Sequence, residues 1–365
     1  MTFRILASLP VQPASMSFVR HFRCYYVTET ILYKKQNWLF CSQVSKFSFI
    51  KKSFRSLSTS TFAFIPESSL FKSYQMSMKS SKSSTIAICQ MTCTADLEAN
   101  FRQCQELIRK GSRKGAEVVF LPEGFDFLMK DKEKILELAE HLDGPRISKM
   151  CKLAEENGVW LSLGGFHCKH PSETRRVLNC HVVIDNKGRI AASYNKTHLF
   201  DVNIEGGPCL KESAFIAHGD RIVPPVSTPV GKLGLGICYD LRFPEFSMIL
   251  ARQGADILSF PSAFTFHTGS AHWEVLLRSR AIETQCYVVA AAQCGKLYEG
   301  REAYGHSMVV DPWGTVVAQC QDGIGLCMAE IDHQYIQKVR SGMPILSHRR
   351  VDLYGSLAAK ERDME

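Results

Sequence analysis

No run of 18 or more consecutive apolar residues occurs in the 365-residue chain, so no membrane-spanning helix is expected. No two cysteines form a Cys-x-x-Cys pair. The fourteen cysteines are scattered, and Cys89 and Cys93, four apart, have no second pair at zinc spacing. The chain is too long and core-rich to need disulfide staples, so its thiols are expected to be free, in a reducing compartment, with one of them chemically special. Gly-x-Gly-x-x-Gly and P-loop motifs are both missing, which leaves a nucleotide-binding reading without support. No internal repeat is visible.

Acid is missing from one end. Residues 1–82 hold twelve Lys/Arg against Glu29 and Glu67 alone, a net +10, so the rest of the chain carries −2 of the total +8. The remainder is therefore close to neutral, and no basic face for nucleic acid is implied. The segment 1–82 is Arg-rich, Ser-rich and without regular periodicity, the composition of a mitochondrial transit sequence. It reads as a disordered basic extension. Initiation at Met76 or Met78 would yield a cytoplasmic form with the core intact, so both mitochondrial and cytoplasmic locations are expected.

What is present begins at Ser84. Apolar runs expected as strands cover Thr85–Met91, Ala116–Leu121, Val159–Phe166, Leu178–Ile184, Ile190–Tyr194, Leu233–Cys238, Ala255–Phe260, Cys286–Gln293, His306–Val310, Thr315–Cys320 and Gly325–Ile331. Helical spacing follows Asp96 up to Gly111 and recurs over Pro145–Asn157, Glu245–Gln253 and Ala271–Thr284. Many strands are continuously apolar, as when both faces of a sheet are covered. The alternation places the chain in the α/β class, with one domain over 84–355 and a tail over 356–365.

Three strand ends carry chemistry. The run Gly234-Leu235-Gly236-Ile237-Cys238 leads at once into polar residues and a helix, the shape of a nucleophile elbow, although the second glycine of the serine version is missing. Pro122-Glu123-Gly124 closes another strand, and a carboxylate held near a thiol can take its proton. Tyr194-Asn195-Lys196-Thr197-His198 closes a third, where an ammonium can stabilise an oxyanion and lower a thiol pKa. Alone, each has a plainer explanation: a buried small residue, a solvated carboxylate, a surface lysine.

Together the blocks Leu121-Pro122-Glu123, Asn195-Lys196-Thr197-His198-Leu199-Phe200, Cys238-Tyr239-Asp240-Leu241-Arg242-Phe243-Pro244-Glu245 and Tyr304-Gly305-His306-Ser307-Met308-Val309-Val310-Asp311-Pro312-Trp313-Gly314 resemble the nitrilase (carbon–nitrogen hydrolase) superfamily. The long block His272–Gln293 is similar to its Nit branch. The resemblance implies a four-layer α-β-β-α sandwich that assembles as a homodimer or higher homo-oligomer. It implies Cys238 as nucleophile, Glu123 as proton acceptor and Lys196 as oxyanion or proton donor, with Glu212 supporting them. It also implies Arg242 as the partner of a substrate carboxylate, with Phe264 and Thr268 lining the pocket in the loop after Ala255–Phe260. No metal or organic cofactor is implied, and the partner is a small-molecule amide.

Within that branch the implied substrate is deaminated glutathione, cleaved to 2-oxoglutarate and cysteinylglycine as metabolite repair. An omega-amidase acting on 2-oxoglutaramate shares the same chemistry. A non-catalytic Nit-type interaction role is the alternative from another class. The absence of His-x-His-x-His argues against an attached histidine-triad domain of the Fhit type. A papain-like site would instead use a histidine base such as His198. His198 and His306 are otherwise expected to orient loops, and Thr197 and Tyr304 to pack.

Overall fold

A computed structural model describes residues 84–205 and 209–357. The segment read as a transit sequence, the loop Gly206-Gly207-Pro208 and the last residues of the tail lie outside them.

Two sheets are built from these residues. The first contains β1 (Ser84–Met91), β2 (Val118–Leu121), β3 (Trp160–Lys169), β4 (Val177–Ile184) and β5 (Ile190–Asn195). A short hairpin, β6 (Asp201–Asn203) and β7 (Cys209–Lys211), stands apart. The second sheet contains β8 (Val226–Thr228), β9 (Gly231–Leu235), β10 (Ile257–Ser259) and β11 (Tyr287–Ala290). Next, β12 (Ala292–Tyr298) and β13 (Arg301–Tyr304) return to the first sheet, β14 (Met308–Val310) and β15 (Val316–Gln319) to the second, and β16 (Gly325–Ile331) to the first. The first sheet is eight-stranded in the order β13-β12-β1-β2-β3-β4-β5, with β16 also pairing with β1. The second is six-stranded, β15-β14-β11-β10-β9-β8.

Helices α1 (Leu97–Arg113), α2 (Lys132–Leu138) and α3 (Pro145–Asn157) precede β3, while α4 (Pro244–Arg252) and α5 (Phe266–Thr284) belong to the second half. α6 (His333–Gly342) and α7 (Val351–Tyr354) follow β16. The period of two along β1 shows how the layers stack. Ile86 and Ile88 point into one apolar cluster shared with Leu233, Ile257 and Val288 of the second sheet. Ala87 and Cys89 point the other way, into a second cluster with Ile108 of α1 and Met150 and Leu153 of α3. Beyond the second sheet, Leu250 of α4 and Trp273 and Leu277 of α5 close its outer face. The order is helix, sheet, sheet, helix, the expected four-layer sandwich.

Local chemistry sets the helix ends. The Asp96 side chain accepts from the Ala99 N–H to cap α1, and Pro145 opens α3, which stops at Gly158 with φ 63°. The expected strand Cys286–Gln293 is in fact two. The chain leaves the second sheet after Ala290 and enters the first at Ala292, so one apolar run serves both sheets. Apolar texture is equal on either side of Ala291 and hides the crossing. The helix expected from Ala271 starts earlier, at Phe266, because Thr265 caps it by accepting from the Thr268 N–H at 3.2 Å. Thr268 therefore lies in the first turn of α5 rather than in the preceding loop.

Candidate active site

β1, β2 and β3 run parallel, as do β9, β10 and β11, and the chemistry-bearing residues follow the carboxyl ends of β2 and β9. Glu123 lies two residues past β2 and Lys196 one past β5, both from the first sheet. β9 ends at Leu235, earlier than expected, and Cys238 opens a 3-10 turn, Cys238–Arg242. Cys238 holds φ 45°, a left-handed backbone that a non-glycine residue adopts only when its surroundings enforce it. That is the sharp turn of an elbow, achieved without the missing glycine. Its N–H donates to Pro261 O at 2.9 Å, and the Asp240 N–H donates to Ile237 O at 3.0 Å.

Lys196 is 2% exposed, so its ammonium needs partners in place of water. It donates to Glu123 Oε1 at 2.9 Å and to both oxygens of Glu212 at 2.8 and 2.9 Å. The three ammonium hydrogens thus have three carboxylate oxygens to meet. Glu212 is fixed from behind by the Phe200 N–H, which donates to Oε2 at 2.6 Å. Glu123 is held by the Ala263 N–H on Oε2 at 2.9 Å and by Asn179 Nδ2 on Oε1, also at 2.9 Å. The Cys238 thiol faces the same cavity, where the charges of Glu123 and Lys196 act on it.

Opposing effects set the protonation states. Burial favours the neutral form of Glu123, but Lys196, the thiol and Asn179 outweigh it and leave its pKa below the ordinary carboxylate value. Burial also works against the Lys196 ammonium, yet Glu123 and Glu212 hold its pKa well above that of an ordinary lysine. For Cys238, burial and then the Glu123 charge push the thiol up, and Lys196 only partly opposes them. Lys196 thus acts on the thiol in the expected direction, but burial first and the Glu123 charge next outweigh it, so the net shift is upward. At rest the set is a thiol, a carboxylate and an ammonium, with the proton acceptor already ionised.

The Asp240 carboxylate ties the Cys238 turn to the Lys196 loop. Oδ2 accepts from the Ile237 N–H at 2.9 Å and the Tyr194 hydroxyl at 2.8 Å. Oδ1 meets His198 Nδ1 at 2.7 Å and accepts from Thr197 Oγ1 at 3.2 Å. Thr197 is thus a hydrogen-bonding member of this network rather than packing, and His198 stacks on Phe243 with centroids 3.8 Å apart. His198 does orient its loop.

Glu123, Lys196, Glu212, Cys238, Arg242, Phe264 and Thr268 all line one cavity of about 280 Å³. Arg242 makes no ion pair among the described residues, neither to Glu245 nor to Asp240. Its guanidinium lies over the Phe264 ring at 5.1 Å and contacts His272 Nδ1 at 3.2 Å. A guanidinium kept without a carboxylate at a cavity wall is open to an anionic ligand. Sequence reasoning missed Asn179, Asp240 and Arg301. Asn179 had a signal, as a polar residue inside the apolar strand Val177–Ile184, but its partner Glu123 is 56 residues away in the chain.

The carbon-nitrogen hydrolase family model matches residues 85–341. This chain belongs to that family. Deaminated glutathione amidase of Bos taurus is 55% identical over 274 residues, covering 74% of this chain and 84% of that protein. The crystal structure of the C. elegans NitFhit protein is 51% identical with a TM-score of 0.73, over 78% of this chain and 68% of that one. Saccharomyces cerevisiae Nit3, a member of branch 10 of the nitrilase superfamily, is 30% identical with a TM-score of 0.66, over 73% of this chain and 97% of that one. A carbon–nitrogen hydrolase of this family acts on amide bonds other than peptide bonds of proteins, and the chain is an enzyme of that type.

Proposed function

We propose that this chain hydrolyses deaminated glutathione to 2-oxoglutarate and cysteinylglycine through a thioester on Cys238. The observation that carries the reading is the buried Glu123–Lys196–Glu212 ion cluster beside the Cys238 thiol, in a cavity that also holds the unpaired Arg242. The identity to amidases acting on that substrate supports the choice of amide.

Glu123 takes the thiol proton as sulfur bonds to the amide carbon, and the carbonyl electrons move onto oxygen. Protonating Glu123 removes one of the two charges that hold Lys196, which releases an ammonium N–H toward the new oxyanion. The Tyr239 N–H, at the head of the turn, is the second donor. Glu123 then delivers its proton to the amine nitrogen, the C–N bond breaks, and cysteinylglycine leaves. Water gives a proton to Glu123, attacks the thioester, and 2-oxoglutarate departs as the thiol is restored. Arg242 binds the 2-oxo acid carboxylate, and Phe264 and Thr268 shape the wall beside it. Glu212 keeps Lys196 charged and in place.

The test is 2-oxoglutarate release from deaminated glutathione by wild type and Cys238→Ala, with hydroxylamine added to intercept the acyl-enzyme as a hydroxamate. Wild-type release without any hydroxamate would remove the thioester. Release from 2-oxoglutaramate alone would make the chain an omega-amidase, and release from neither substrate would leave the non-catalytic reading. We further propose that the chain forms a homodimer and that residues 1–82 direct it to mitochondria, with starts at Met76 or Met78 supplying a cytoplasmic form.

A further inference from the structure

We infer that Arg301 is a specificity-determining residue that binds a second carboxylate, carried on the leaving amine. The inference rests on the proposed hydrolysis of deaminated glutathione and names a binding group at the same site. Arg301 opens β13, at the edge of the first sheet, and lines the cavity with Cys238. Its Nη2 donates to Ala263 O at 2.6 Å. Its Nη1 is buried with no hydrogen-bond partner, and Arg301 makes no ion pair among the described residues. A buried guanidinium donor without an acceptor costs free energy unless a ligand supplies one.

The placement indicates which end of the substrate it serves. Ala263 holds Glu123 through its N–H and Arg301 through its carbonyl. Arg301 therefore stands one residue's width from the carboxylate that protonates the departing nitrogen. Arg242, in contrast, belongs to the Cys238 turn and rests on Phe264. The cavity thus offers two guanidiniums free of carboxylate partners, one tied to the nucleophile and one tied to the proton donor. The acidic lining residues, Glu123 and Glu212, are both engaged by Lys196. Such a cavity suits an amide with a carboxylate on each side of the scissile bond, in which the leaving group is a short peptide ending in a free carboxylate. An amide that releases ammonia has nothing to offer Arg301.

The experiment compares deaminated glutathione with the same molecule capped at its glycyl carboxylate as an N-methylamide, reading 2-oxoglutarate release. Wild type is expected to prefer the uncapped substrate by about 10- to 100-fold in kcat/KM, mostly through KM, the range of a charge-assisted hydrogen bond. In Arg301→Gln that preference falls close to one, and Arg301→Lys restores part of it. If Arg301→Gln slows both substrates equally and keeps the wild-type preference, Arg301 only supports the Ala263 backbone and the assignment is overturned. Wild type that cleaves no deaminated glutathione at all removes the underlying reading instead, a result separable from loss of the preference alone.

Discussion

Lys196 is saturated at rest, and this makes it the sharpest single residue to test. Removing it from Lys196→Ala leaves Glu123 and Glu212 facing each other without a cation, and it deletes the oxyanion donor. A loss of at least about 100- to 1,000-fold in kcat is expected, the size seen when one such donor is removed. His198→Ala should cost far less, since His198 contacts Asp240 rather than the thiol; parity of the two variants would favour a histidine-based mechanism. The pH profile separates the same alternatives. Glu123 sits below the ordinary carboxylate range, so it is ionised and competent above its titration and loses function as pH falls through it. The acid limb of kcat/KM should therefore lie below the ordinary carboxylate range, and a limb near neutrality would speak against Glu123 as the base. The same sign holds for stability: the Glu123 contribution is complete above the unfolded value and fades as acid protonates the folded carboxylate.

At the scale of the element, the turn Cys238–Arg242 depends on a carboxylate that is not itself part of the chemistry. Asp240→Ala strips acceptors from Ile237, Tyr194, Thr197 and His198 at once, and a loss of about 3 kcal/mol in unfolding free energy is expected from denaturant titration. The kcat should fall with it, because the left-handed Cys238 is no longer enforced. The first sheet has a matching tight point. Gly165 holds φ 70°, and a Cβ there would stand 2.8 Å from both Glu123 Cγ and Asn179 Oδ1. Gly165→Ala should thus cost activity through a displaced Glu123, and equal kcat/KM in the variant would show that the loop gives way freely.

Elements of this size were unevenly legible in the sequence. Continuous apolar runs announced the central strands, and capping residues announced α1 and α3. The three-residue strands β6 and β7, the polar edge strand β13 and the seven-residue helix α2 carried too little periodic signal, whereas α6, amphipathic and capped by Asp332, was readable and overlooked. Glu123, Lys196 and Cys238 could be found because each follows a strand in a characteristic string. Asn179 and Arg301 could not, since each acquires its meaning only from residues that folding brings beside it.

For the whole molecule, the proposed homodimer has a candidate face in the exposed apolar side chains of α5 and the turn beside it. Val275 and Ile282 are seven residues apart on α5, hence on one face, and Trp313 is exposed in the turn whose Gly314 carbonyl accepts from Arg278 of the same helix. Val275→Glu together with Trp313→Glu should shift a dimer toward monomer in sedimentation or light scattering. Truncation before Met76 should leave the kinetics of the purified protein intact while altering its cellular fraction, with mature N-termini read by mass spectrometry; activity lost on truncation would make the extension part of the working enzyme. One consequence of the raised Cys238 thiol reaches beyond catalysis. A sulfur that stays protonated until an amide arrives offers little to electrophiles and peroxide. Among the described cysteines Cys209 is the exposed one, so in a dose series of iodoacetamide, read by peptide mass spectrometry, it should be alkylated well before Cys238; equal rates at the two thiols would show that the resting sulfur is not held protonated.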